Sequence, residues 1–438
     1  MVISSKSDRS SRLAVFSLLF ARVIYAINWF NIASIFPHIA SDFRQDVFLL
    51  GLLSSSFLIG IGLFQIPGGI LAAVQGPRKT AIYGITIASS AALLCGLSQI
   101  YQMEILRFVV GVGMALFFGP SVTLITRYLG KGSEGLAVGL LNSAHSIGGI
   151  IGLFGWAVLA DFIGWRQSLL LSGGLGLISS LLLIIFLPTK EKEQIKELVQ
   201  KRIRIHPELK LSIRTVLLDK SLFLFGLVLL GAQIAWGLPL TYIVFYLVDY
   251  LKVSSVVAGL LASSILISGL IFAPIFGKIY DKSRNTKKLL FICGVAMSAG
   301  LACNAITNTS STEYIVVISN IVVGVFSAGV FTIVYASARA IRMNMSTNAG
   351  MENREGIETR VTNRSTINQT QYSYETLNVS WVNGLSLFGA FWVPFIFSLV
   401  VHHLGYALAW LLGGLLSFLF ILPSLSIKTY KIRQPLDE

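Results

Sequence analysis

Residues 277–288 read GKIYDKSRNTKK, a short basic turn between two apolar runs that are each long enough to cross a bilayer. Residues 69–79, GILAAVQGPRK, echo it. In both stretches a Gly is expected to end the first apolar run, and a cluster of cations precedes the second. Gly69 aligns with Gly277 and Ala73 with Asp281, an offset of 208 residues that the two expected half-starts, Leu13 and Ser221, also share. A duplication of that size predicts two similar halves, 1–188 and 221–438, joined by a linker at 189–220.

Composition agrees with a chain built for lipid. Of 438 residues, 54% are hydrophobic and only 12% charged, and the mean hydropathy is +0.76. Soluble domains carry about a quarter charged residues. Cys95, Cys293 and Cys303 all fall in apolar runs without metal-ligand spacing, so buried thiols are expected. The polar, basic N-terminus precedes an apolar run too long for a signal-peptide core, which predicts a retained first span.

At about 20 apolar residues per crossing, twelve spans are predicted, at about 13–36, 49–73, 80–98, 103–126, 135–160, 167–187, 221–248, 255–277, 288–306, 314–338, 378–401 and 405–427. With both termini cytoplasmic, the inner loops and tails hold 29 of the 34 Lys and Arg residues. The outer loops hold only Arg44, Arg166 and Lys252, while Arg22 and Arg107 lie inside spans. This asymmetry sets the orientation. It also assigns the net charge of +14 to membrane topology rather than to nucleic acid, since no basic face interleaved with aromatics accompanies it.

Two loops are long. The linker starts amphipathically with Ile195, Leu198, Val199 and Ile203, which suits a surface helix on the cytoplasmic face. Residues 339–375, rich in Asn, Thr, Ser and Arg, predict a disordered cytoplasmic loop. Its triplets at Asn344, Asn363 and Asn368 read as chance. Asn308 heads the one triplet expected in an outer loop, where glycosylation is geometrically possible.

With twelve spans in two halves and a basic turn after the second span of each, the chain resembles the major facilitator superfamily over nearly its whole length. That resemblance implies an all-α fold of two six-helix halves. It also implies that Gly277, Asp281 and Arg284, with Gly69 and Arg78 in the first copy, take part in gating. Ala73 stands where the first copy's acid is expected. Arg107, followed by Gly111 and Gly113, is similar to the family's Arg-x-x-x-Gly-x-Gly, whose Arg is linked to proton coupling. The alternative for Arg107 is a structural pair with Glu104 or Asp161. The fifth span has Gly148 and Gly149 but lacks the Pro of the antiporter signature. Without any family, small residues at 111, 113, 148, 149 and 152 predict close helix contacts, and Pro67, Pro120 and Pro274 are placed near span ends.

Polar groups at membrane depth are functional candidates. Arg22 lies nine residues past Leu13 and His145 ten past Gly135, so both sit about 14–15 Å deep at the helical rise. Two such groups at one level attract an anion. The alternatives are a snorkelling Arg22 and a neutral, packing His145. Asn28, Trp29 and Asn31 precede Pro37; in organic-anion members of the resembled family an Arg often stands where Trp29 does, and Asn31 matches their Asn. No Arg falls in the second or eighth span, which argues against nitrate. Asn142 joins the candidates in the N-terminal half. The C-terminal half offers neutral groups, Gln233, Trp236, Asn320 and Asn383, which either bond a substrate or hold helices together. No carboxylate falls mid-span, leaving His145 as the central titratable group for a coupled proton.

The expected protein is a multi-pass transporter of the cell membrane that carries a small organic anion, a carboxylate or phosphorylated metabolite, by alternating access. A neutral sugar or amphipathic drug as substrate, and a transporter-like sensor, are the alternatives. The sequence shows no nucleotide-binding loop, metal cluster or nucleophile constellation, so no enzyme, cofactor or metal is expected. The partners expected are the lipid bilayer, a small-molecule substrate and a proton as candidate co-substrate, with the protein acting as a monomer.

Overall fold

The computed structural model describes residues 5–129, 134–187, 216–283, 285–307, 312–341 and 378–427. These are almost entirely helical. The N-terminal half comprises α1 (Ser5–Phe43), α2 (Val47–Gln75), α3 (Pro77–Cys95) and α4 (Ile100–Leu129), followed by α5 and α6. α5 starts as Glu134–Ile150 and passes through a π turn, Ile151–Gly155, into Trp156–Ile163; α6 is Trp165–Phe186. In the C-terminal half, α7 (Lys220–Phe245) runs into a π turn at Tyr246–Tyr250. Then come α8 (Ser255–Lys282), α9 (Thr286–Cys303) and α10 (Thr312–Ala340), α11 as 378–389 followed by Trp392–Leu404, and α12 (Tyr406–Ile421).

Among the described residues, eleven helical stretches are long and apolar enough to cross a membrane, and the chain is a multi-pass membrane protein. The predicted third span is the one that falls short by composition. α3 opens with Arg78 and Lys79, and its middle is rich in Ala, Ser and Gly. Those small residues serve a different purpose. A side chain at Gly84 would overlap the α4 backbone at Gly113 and Leu116, and one at Gly113 would overlap α3 at Gly84 and Ala88. Lipid gives helices no hydrophobic drive to associate, so close backbone approach supplies the dispersion energy instead. Gly111 meets Phe57 of α2, and Gly148 and Gly152 meet α1 at Val23 and Ile27. Gly149 faces both Phe30 of α1 and Leu266 of α8.

Several sequence expectations shift. Gly69 and Gly277 do not end their helices, which continue to Gln75 and Lys282; the first chain reversal comes at Gly76, with φ +93°. Pro67, Pro120 and Pro274 accordingly sit inside helices that run on past them. Cys95 and Cys293 are buried, but Cys303 is exposed, because it falls at the frayed end of α9 beside a 3₁₀ turn. Nearly all of the linker at 189–220, the loop at 339–375 and its triplets, Asn308 and Arg284 lie outside the described residues. The side chains of Ala73 and Asp281 lie outside them too.

The halves meet along seams between α2 and α11, α5 and α8, and α1 and α7. At one end the seams are tight. A side chain at Gly51 would collide with Ser398 and Pro394, and one at Gly259 with Leu153 and Ala157. Phe48 packs on Phe395 and Phe36 on Phe245, at ring separations of 5.5 and 5.1 Å. At the other end, among the described residues, a side chain at Gly69 would meet nothing within 4 Å, and one at Gly277 would meet the Thr332 methyl at 4.0 Å. Among the described residues the assembly is closed at the end carrying residues 44–46 and 161–164 and more open at the opposite one.

Candidate functional site

Arg22 lies on the inward face of α1 and is only 5% exposed. Its guanidinium carbon sits 4.2 Å from the Tyr25 ring centroid and 4.8 Å from that of Phe118. Aromatic faces hold a cation by their quadrupole without supplying negative charge. The Nε and Nη1 of Arg22 are buried without a hydrogen-bond partner. Among the described residues no carboxylate contacts it; the groups in electrostatic reach are the phenols of Tyr25 and Tyr335 and the imidazole of His145. His145 has its own buried, unpartnered Nδ1.

Aromatic rings link these groups into a circuit across the two halves. Tyr25, Trp29 and Phe30 of α1 lie 6.0, 5.9 and 5.6 Å from the His145 ring. Phe30 then meets Trp236 of α7 at 5.7 Å, Trp236 meets Phe331 of α10 at 5.8 Å, and Phe331 stacks with Tyr335 at 6.3 Å. Tyr335 donates a 2.7 Å hydrogen bond to Oδ1 of Asn383 on α11, which brings the path back to Arg22. The neighbour of Asn383, Gly384, lies against Gln65 of α2, whose Oε1 is buried and unpartnered.

A cavity of about 70 Å³ opens beside this circuit, lined by Trp29, Phe57, Arg107, Gln233, Trp236 and Thr241 among others. Sites for small ligands are commonly ~300–1,000 Å³. This space is smaller than that. Arg107 is the second buried cation here. Its Nη1 donates to the Asn28 carbonyl at 3.0 Å, its guanidinium lies 4.6 Å from the Phe57 centroid, and its Nε is unpartnered. The expected pairing with Glu104 or Asp161 is not made, because Asp161 is engaged by His38 and Ser255 instead.

Of the other residues singled out from sequence, Gln233 and Trp236 line the cavity. Asn142 is exposed one helical turn before His145 on the same α5 face. Asn28 turns its Nδ2 to Ile24 O of its own helix, leaving Oδ1 unpartnered. Asn31 and Asn320 are not brought to the cavity. The first donates to Ser172 Oγ of α6 and the second to Leu261 O of α8, each inside its own half. Arg78 donates from Nε and Nη2 to Leu187 O and Ile184 O, capping the carbonyl end of α6, where a cation also meets the negative pole of the helix dipole. Tyr25, Gln65 and Tyr335 belong to the circuit without having been singled out. Tyr25 was findable, since positions 22, 25 and 29 share one helix face.

A family model described as Major Facilitator Superfamily matches residues 18–347. Curated relatives include the probable sulfoacetate transporter SauU of Cupriavidus necator, 29% identical over 36% of this chain and 36% of that one. The hexuronate transporter of Bacillus subtilis is 24% identical over 50% of this chain and 52% of that one. The probable galactarate/D-glucarate transporter GudP of Escherichia coli is 29% identical over 32% and 33%. The matches thus span about a third to a half of these relatives' length. A crystal structure of the nucleoside transporter NupG superposes with TM-score 0.67 over 95% of this chain and 100% of that one at 14% identity, which is a likeness of fold. The chain belongs to the Major Facilitator Superfamily.

Proposed function

We propose that this superfamily member carries a small organic anion across the cell membrane by alternating access, with Arg22 as the group that holds the anion. The observation that carries the reading is the guanidinium itself, buried between the halves with two unpartnered nitrogens and no carboxylate beside it among the described residues. Leaving such a charge uncompensated in low dielectric is costly. A substrate that brings the negative charge removes that cost only while bound, and so couples occupancy to conformation. The planar fork of Arg suits carboxylate, phosphate or sulfonate oxygens. Three relatives named for sulfoacetate, hexuronate and galactarate or glucarate support an anionic substrate.

In this reading the N-terminal half supplies charge through Arg22, with Arg107 beside the cavity. The C-terminal half supplies neutral donors and acceptors through Gln233, Tyr335 and Asn383. When an anion sits on Arg22, Tyr335 and Asn383 reach it from the opposite half and draw the seam together. The chain crosses the bilayer twelve times, α3 included, because α3 is sandwiched against α4 and α6. Both termini face the cytoplasm by the distribution of cations. The tight end of the seams is then the outer end. The protein works as a monomer, Gly277, Asp281 and Arg284 gate its inner end, and His145 is the candidate carrier of a coupled proton.

The test is uptake by purified protein in liposomes. Sugar acids, sulfonates or sugar phosphates should accumulate, and Arg22→Ala should abolish uptake while inserting normally. Binding without any flux would instead make the protein a sensor, and normal flux by Arg22→Ala would remove the anion site.

A further inference from the structure

The tight end of the seams is held by polar contacts as well as by packing: Phe395 N donates to Ser55 Oγ at 3.2 Å, and two further contacts each include a carboxylate. Asp46 lies between α1 and α2, and its Oδ2 is 2.8 Å from Nδ1 of His402 at the end of α11, so this contact joins the two halves. The same carboxylate caps α2 with its other oxygen, which accepts from Phe48 N at 2.9 Å. On the second seam, Asp161 near the end of α5 accepts from Ser255 Oγ of α8 at 3.0 and 3.1 Å, again across the halves. His38 Nε2 of α1, buried and without a hydrogen bond of its own, stands 3.0 Å from Asp161 Oδ1.

We propose that these contacts form a proton-dependent latch, in which protonation of His402 and His38 from the outer solution holds the outer end closed. The proposal rests on the orientation given above. The His402 imidazole reaches water, its side chain being 52% exposed; the His38 side chain is 33% exposed, with its Nε2 buried against Asp161. His38 also lines a surface crevice with Asp42 and Arg166. The groups facing the two sites are few. His402 faces Asp46 and its own neighbour His403, at a ring separation of 4.9 Å; Tyr406, which also senses Asp249, lies in electrostatic reach of Asp46. His38 faces Asp161, and in the crevice Asp42 and Arg166. Asp42 is occupied by Trp165 Nε1 at 2.7 Å, and Arg166 by the carbonyls of Gly96 and Ser98. An imidazole that gains a proton beside a carboxylate makes a charge-assisted contact, stronger than the neutral one. At His402 that gain acts directly between the halves. At His38 it fixes the acceptor that Ser255 uses.

The latch is separable from the fold. Asp46→Asn keeps an oxygen for Phe48 N, and Asn caps helices as well as Asp does, yet it removes the charge that His402 needs. The experiment uses a background without the three native cysteines and reads labelling of Ser54→Cys by an impermeant thiol reagent in intact cells. Ser54 lines the central cavity near the start of α2 and is reached from outside only when the seam parts. Each reading is divided by that of Leu97→Cys, on an exposed loop, which cancels the pH dependence of the thiol chemistry itself. The ratio should fall about two- to fivefold between about pH 8 and about pH 5.5, the size expected of partly exposed ion pairs. Asp46→Asn, and independently His402→Gln, should remove most of that fall, and Asp161→Asn a smaller share. A ratio indifferent to pH, or an equal fall in all these variants, overturns the latch. Labelling of Leu97→Cys only after permeabilisation overturns the orientation instead, a different failure with its own signature.

Discussion

The two halves repeat one helical plan but divide the chemistry unequally. The N-terminal half places Arg22, Arg107 and His145 toward the centre, whereas the C-terminal half meets them with Gln233, Trp236, Tyr335 and Asn383, none of them charged at neutral pH. Their internal packing is alike. Glycines at backbone contact join α2, α3 and α4, and Gly324 and Gly414 do the same for α10 with α8 and α12 with α9. Short polar links hold both, such as Asn31 with Ser172 in the first half and Ser298 with Ser417 in the second. The difference teaches that the buried cations are gathered on one side and face a neutral wall on the other.

The largest effect that sharpens this contrast is at Arg22. Arg22→Ala should weaken anion binding by about 2–5 kcal/mol, since it removes the charged partner of a buried pair. Arg22→Lys should recover little of it. The same position carries an unusual sign: Arg22→Met should raise the thermal stability of the ligand-free protein, because it exchanges an uncompensated buried charge for an apolar side chain. Binding isotherms and melting curves on one set of samples check both.

Gly113→Val comes next and tests how rigid the charged wall is. It drives a branched side chain into the α3 backbone, and should cost about 1–3 kcal/mol or prevent folding. Tyr335→Phe follows. It leaves the buried Asn383 Oδ1 without its donor and should weaken binding by roughly 0.5–1.5 kcal/mol and stability by about 1–3 kcal/mol. Asn320→Leu is smallest, about 0.6 kcal/mol in stability and none in affinity, as expected of a link within one half. A substantial affinity loss in Asn320→Leu would put α10 glue, rather than the cavity wall, in control of binding.

Much of this was legible in the sequence because helical rise is fixed. Counting residues from the span starts put Arg22 and His145 at one depth, and the structure holds them within electrostatic reach. The offset of 208 residues predicts two halves. What counting does not supply is which neighbour a polar face meets. Asn31, Asn320 and Asn383 looked alike in the sequence and each bonds within its own half, but only beside Asn383, at Gly384, does the chain lie against the other half at Gln65. Tyr335 and Gln65 escaped because only the packing of α10 and α2 against the seam turns them inward. Gly69 and Gly277 were read as helix ends by their residue type; in lipid the helix continues, since every unpaired backbone group there is costly. α3 was read as one more crossing; its small residues are buried against its neighbours and its first turn carries two cations, so its composition is the least apolar of the twelve.

The central claim is that the solute is an anion held by Arg22, and binding to purified protein tests it most directly. Melting curves should be recorded with a sugar acid, a sulfonate, a sugar phosphate and a neutral hexose, for the parent and for Arg22→Ala. At about one hundred times Kd a ligand of the folded state stabilises it by roughly 2.7 kcal/mol, well above the scatter of such curves. At least one of the anions should raise the melting temperature of the parent and leave that of Arg22→Ala unmoved, while the neutral hexose shifts neither. Stabilisation by the hexose alone, or an anion shift that survives in Arg22→Ala, would contradict the account.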